Sequence, residues 1–250
     1  MKLLILNPNT SPGVTQRIVA AARGVAAPTT EIVGVTGSRG VPYIATRAEA
    51  IIGGALVLEI LAERADDFDA VVIAAFGDPG LAGARELMTI PVVGMAEAAM
   101  LTACMLGRRF AIVTFSQTLE PWYRECVEYN GLDDRFAGFA IANGGFASID
   151  DVQIEMEARL IDLAHRAVTD HGADVVIFGG APLAGLAERV RDRVPVPVID
   201  AAEAAVKQAE ALVALRPRKA AVGPFRCPDP KPSAGLAPAL HALISGSRGN

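Results

Sequence analysis

The sequence predicts an α/β protein built of two similar domains, each with a parallel sheet, and a cleft between them. Three observations carry this. Short apolar runs rich in Val and Ile alternate with Ala-rich helical stretches; the runs lack polar alternation, as strands covered by helices on both faces do; and the second half of the chain repeats the first.

The first run, LLIL at 3–6, leads into Asn7-Pro8-Asn9-Thr10-Ser11 and then PGVTQRIVAAA. Ser11 or Thr10 is the natural cap of that helix, with Pro12 at its first position. EIVGV (31–35), AVVIAAF (70–76) and PVVGM (91–95) read as the next three strands, with helical stretches between them. The second half supplies FAIVTF (110–115), FAGFAIA (136–142), DVVIFG (174–179) and VPVID (196–200). FDAVVIAAFGDPGLAG matches GADVVIFGGAPLAG at an offset of about 104 residues, IPVVGMAEAAM matches VPVIDAAEAAV, and LLILNPNTS overlays FAIVTFSQT. Three matches in the same order imply an internal duplication. The expected domains are residues 1–98 with 206–250, and residues 99–205, related by a pseudo-twofold. The tail after residue 216 is Pro-rich and polar, an extended strap before a short helix near PALHALI.

A formal net charge of −5, with 23 basic residues scattered along the chain, gives no footprint for nucleic acid or an anionic membrane surface. No apolar run approaches the roughly 18 residues of a membrane span, and the chain opens on a strand rather than a targeting segment, so a cytoplasmic protein is expected. Cys104, Cys126 and Cys227 are odd in number and widely spaced, which fits neither a disulfide framework nor a zinc site.

Ligands of parallel sheets bind beyond the carboxyl ends of the strands, and two facing domains would share one cleft there. Asn9, Thr10 and Ser11 after the first strand are either turn and cap residues or donors for a ligand oxygen at a helix N-terminus. Thr114 and Ser116 take the equivalent place in the second half. Asp78, in the turn Phe76-Gly77-Asp78-Pro79-Gly80, is either the cap of the helix LAGARELM or a general base raised in pKa by burial. Its counterpart turn, Gly179-Gly180-Ala181-Pro182, carries no carboxylate, and the amides around Gly77, Gly179 and Ala181 are further ligand donors. His165, His171 and His241 lie outside the strand-end loops, and neither Cys104 nor Cys126 has a neighbouring base. Walker and GxGxxG loops are absent, so the expected ligand is small and modestly anionic.

With NPNTS after the first strand, FGDPGL after the third, IPVVGMAEAA following, FAIVTFS opening the second half and PLAGLAE near its end, the chain resembles the hydantoin and allantoin racemase branch of the Asp/Glu racemase superfamily over roughly residues 1–215. The resemblance implies no cofactor, no metal, and racemisation by two cysteines acting on opposite faces of the substrate. It places the first cysteine at Ala75 and the second at Gly180, where neither is present. Three readings stay open: a divergent enzyme on a small carboxylate or ureide with another proton carrier, Asp78 foremost; a true hydantoin or amino-acid racemase using other residues; and a catalytically silent relative that binds such a ligand. A homo-oligomer is expected.

Overall fold

The computed structural model describes residues 1–145 and 147–247. The first half runs β1 (Lys2–Asn7), α1 (Pro12–Val25), β2 (Glu31–Thr36), α2 (Arg47–Arg64), β3 (Ala70–Ile73), α3 (Leu81–Leu87), β4 (Val92–Gly94) and α4 (Met95–Leu106). The second runs β5 (Phe110–Thr114), α5 (Glu120–Tyr129), β6 (Phe136–Ile141), α6 (Val152–Thr169), β7 (Val175–Phe178), α7 (Leu186–Val190), β8 (Val198–Asp200) and α8 (Ala201–Leu215), with α9 (Pro238–Ser245) closing the chain. All pairings are parallel, in the orders β2-β1-β3-β4 and β6-β5-β7-β8. Adding four to each strand number of the first sheet gives the second, which is the duplication seen as topology.

Local chemistry sets the element ends. The amide of Val14 donates to Ser11 Oγ at 3.2 Å, so Ser11 caps α1 ahead of Pro12. Thr46 and Glu49 form a reciprocal capping box on α2. β3 is shorter than its apolar run suggests. Its last sheet bond is the Ala74 amide donating to the Leu6 carbonyl at 2.8 Å, after which the backbone turns at Ala75.

The two halves are interlocked by their helices. α4 packs on β5, β7 and β8 of the second sheet, while α8 packs on β3 and β4 of the first. One continuous apolar cluster therefore runs through both halves, from Leu3 and Ile5 to Ile177 and Val206, and a second covers the other face of the first sheet around Leu4, Leu61 and Val71. Burial of this kind supplies most of the driving force for folding, at about 25 cal/mol per Å² of apolar surface. After α8 the chain has neither helix nor strand until α9, which packs on α2 with Leu240 buried. No described helix is long and apolar enough to cross a membrane.

In each sheet the chain leaves the two central strands toward opposite edges. This is the switch point at which loops diverge and leave a crevice. The loops after β1 and β3 flank it in the first half and those after β5 and β7 in the second.

Candidate functional site

Between the two sets of loops lies a small pocket that Asn9 and Ala75 enter from the first half and Ala181 and Pro182 from the second. Aromatic side chains wall it: Tyr43, Phe76, Trp122 and Tyr123, with Ile44 beside them. Phe76 packs on Tyr123 at 4.7 Å between ring centroids, Trp122 on Tyr123 at 5.5 Å, and Tyr43 on Phe115 at 5.8 Å. Sequence reasoning brings Asn9, Ala75 and Ala181 to this place and misses the aromatic wall. Trp122-Tyr123, which holds the chain's single tryptophan, is the available signal, but by pattern alone it is only part of a helix face.

The turns after β3 and β7 are built alike. The amide of Asp78 donates to the Ala75 carbonyl at 3.0 Å and that of Leu183 to the Gly180 carbonyl at 2.9 Å. Each turn ends on a left-handed glycine ahead of a short helix, Gly80 at φ 80° and Gly185 at φ 83°. Gly179 packs under Phe76 and Ile112, and Gly77 lies against the Trp122 ring.

The cradle after β1 is a network of buried amides. Asn9 Oδ1 accepts from Asn7 Nδ2 at 2.8 Å and from the Ser11 amide at 2.9 Å, so Nδ2 is the group Asn9 offers to a ligand. The Ser11 hydroxyl caps α1, and the Thr10 amide donates to the Val41 carbonyl at 2.9 Å. In the second half, Thr114 Oγ1 donates to the Gly179 carbonyl at 2.7 Å, tying the β5 loop to the β7 turn. Ser116 Oγ pairs with Thr118 Oγ1 at 2.9 Å outside the pocket.

Asp78 does not cap α3, but it is buried as the general-base expectation requires. Gly80, not Asp78, occupies the cap position of α3. The carboxylate instead takes the amides of Ala96 and Glu97, at 2.8 Å each, at the start of α4. Burial pushes its pKa up to about 7; the two amide bonds oppose that rise, Glu97 adds to it and Arg85 reduces it. Tyr43 and Tyr123 are raised by burial too, so both phenols stay protonated and can donate. His165 bonds the Arg193 carbonyl, and His241 bonds Ser233, both on the surface. Cys104 is half-buried, Cys227 is exposed, and Cys126 is buried with its thiol raised by desolvation. No group of three or more His, Cys, Asp or Glu among the described residues could hold a metal ion.

A model of the Asp/Glu/hydantoin racemase family matches residues 3–209. The chain is 35% identical to a hydantoin racemase of Paenarthrobacter aurescens over 233 residues, 92% of this chain and 99% of that one. Among solved structures, allantoin racemase from Klebsiella pneumoniae superposes with a TM-score of 0.89 at 36% identity, over 97% of this chain and 98% of that one. Allantoin racemase from Pseudomonas fluorescens superposes with a TM-score of 0.88 at 32% identity, over 94% and 100%. By sequence and by fold, then, this chain belongs to the Asp/Glu/hydantoin racemase family.

Proposed function

We propose that this chain holds a small carboxylate, hydantoin or ureide in the cleft between its sheets and transfers a proton at one of its carbons without a cofactor, by a scheme other than exchange between two thiols. One observation carries the reading. The turns that bear Ala75 and Gly180 meet at a single pocket whose protic side chains are Asn9, Tyr43, Trp122 and Tyr123, donors all and none of them a base near neutrality. Two-base racemisation needs a base near neutrality on each face of the carbon, and protonated phenols supply none. They suit the reverse role of stabilising an enolate oxygen, or of returning a proton to a carbanion left by a departing group. Decarboxylation or lyase chemistry on an activated carboxylate therefore fits this donor set better than racemisation.

The test is incubation in deuterium oxide with one enantiomer of a 5-substituted hydantoin, with allantoin and with carboxylates activated by a neighbouring carbonyl, followed by NMR and polarimetry. Release of carbon dioxide, with one deuterium entering at the carbon it leaves, supports the reading. Loss of optical activity in step with deuterium uptake would instead make the chain a true racemase working through other residues. A second reading, a silent binder of the same ligands, is favoured by the engagement of Asp78 with the α4 amides. It predicts calorimetric binding with no deuterium uptake and no carbon dioxide.

A further inference from the structure

Each half of the molecule bridges the turn after its third strand to the helix after its fourth with one buried carboxylate. In the first half the carboxylate comes from the turn: Asp78 Oδ1 and Oδ2 accept from the amides of Ala96 and Glu97. In the second it comes from the helix. Asp200, the cap of α8, accepts from the amides of Ala202 and Glu203 through Oδ1, at 2.9 and 3.2 Å, and reaches back to the Gly185 amide through Oδ2 at 2.6 Å. Ala96-Glu97 and Ala202-Glu203 are matching residues of the internal repeat, so the two carboxylates serve matching amides from opposite sides.

The two solutions exclude one another. Gly94 stands in the first half where Asp200 stands in the second, and a Cβ on Gly94 would lie 2.4 Å from Asp78 Cγ. The backbone is not the obstacle, because Gly94 has φ −81° and ψ 138° and Asp200 has φ −85° and ψ 125°. Asp78 holds φ 52°, a left-handed conformation that Asp, Asn and Gly tolerate best. A fully engaged, buried carboxylate at each turn points to a constraint on the turn itself.

We infer that Asp78 and Asp200 are paired positioning residues that fix the two turns facing each other across the cleft, the one bearing Ala75 and the one bearing Gly180. The consequence for a ligand rests on the function proposed above, whereas the bridges exist without one. Loss of a buried acceptor strands its amide donors and frees the turn it held.

Amide hydrogen exchange on the free protein, read by mass spectrometry, tests the bridges directly. Asp200→Ala is expected to speed exchange of residues 180–187 at least tenfold while β5 and β7 keep their protection. Asp78→Gly is expected to do the same for residues 75–81 and 95–98. Asp78→Gly combined with Gly94→Asp moves the carboxylate to the helix side, as in the second half, and is expected to restore protection; Gly94→Asp alone crowds Asp78 and lowers the unfolding temperature. If Asp200→Ala fails to fold, Asp200→Asn, which keeps one acceptor oxygen, is measured with the same expectation at the Gly185 amide. Exchange that rises uniformly over both sheets, or a double variant no better protected than Asp78→Gly, overturns the inference. Hydantoin titrated into the same variants should bind at least tenfold more weakly in the singles and recover in the double. Unchanged binding in a variant with a loosened turn also overturns it. A wild-type protein that does not bind hydantoin counts against the proposed function alone, and the exchange arm still decides the bridges.

Discussion

The ring of Phe115 closes the side-chain direction of Gly180: a Cβ there would lie 2.6 Å from Phe115 Cε1, on a backbone at φ 131° that L side chains rarely adopt. Ala75 already carries a Cβ and lines the pocket. Ala75→Cys is therefore expected to fold as the wild type does. Gly180→Cys should lose about 1–3 kcal/mol through crowding and backbone strain, part of it regained with Phe115→Leu. Thermal unfolding of the four proteins checks this. With both cysteines and Phe115→Leu in place, deuterium uptake into hydantoin should rise above wild type, and a well-folded triple variant that binds hydantoin without uptake would show that the cleft has diverged in shape as well as in its bases.

The sequence predicts that Asn9 and Ser116 act alike, and the structure separates them. Asn9 Oδ1 holds Asn7 and the Ser11 amide inside the cradle, while the Ser116 hydroxyl bonds Thr118 outside the pocket. Asn9→Ala should lower stability by about 1–3 kcal/mol, the cost of stranding buried partners, and should weaken hydantoin binding. Ser116→Ala should leave affinity within about twofold, since it removes only an exposed hydroxyl pair. Isothermal calorimetry distinguishes the two, and equal losses would move the binding site toward the β5 loop.

Stability should fall as pH rises from about 5 to 8. Burial lifts Asp78 to about 7, and burial followed by the charge of Asp200 lifts Glu203 to about 7. A carboxyl whose folded pKa lies above its unfolded value contributes stability that is complete below the unfolded value, near 4, and is lost as pH passes through the folded one. Glu157, held low by hydrogen bonds from Arg193 and Arg189, acts below this window. Asp200, also raised by burial, adds in the same direction, so Asp78→Asn, which suits the left-handed backbone, removes one of three such carboxyls and should make the slope shallower without abolishing it. Urea midpoints across the range read it, and an equally steep decline in Asp78→Asn would assign the effect elsewhere.

Native alkylation with iodoacetamide should modify Cys227 first, because it is exposed, while Cys126 is buried with its thiol raised. Hydantoin binding should survive that single modification. Mass spectrometry with calorimetry checks both statements, and loss of binding on labelling of Cys227 would bring the C-terminal strap into the site.

The eight described strands are legible because each is built on a short apolar run such as AVVI or FAIV, and the repeat implies the same order in both sheets. The resemblance singles out Ala75 and Gly180, and its place after a strand singles out Asn9. Asp78 is misplaced because a capping carboxylate is ordinarily sought within a few residues of its helix, and this one reaches α4 across 18 positions. The glycine at 94 is the only trace: one half of the repeat reads Val-Gly-Met where the other reads Ile-Asp-Ala. Tyr43 cannot be found from pattern at all, since it lies in the segment between β2 and α2 with no periodicity to orient it.

Trp122 forms a wall of the cleft on one side and of an outer groove with Gly80, Leu81, Cys126 and Tyr129 on the other. It is the chain's one tryptophan, so its emission reports on that wall without labelling. Gly77 fixes how close the wall can stand, because a Cβ there would lie 2.5 Å from the indole and the backbone sits at φ 107°. Gly77→Ala should displace the indole toward the groove, shift its emission to longer wavelength as water reaches it, and cost about 1–3 kcal/mol. Trp122→Phe removes the crowding, so the double variant should regain part of that loss, as coupled neighbours do in a double-mutant cycle. Hydantoin should change the emission of wild type in a saturable way, since the ring borders the pocket it enters. A hydantoin that binds by calorimetry yet leaves Trp122 emission untouched would place the ligand away from this cleft.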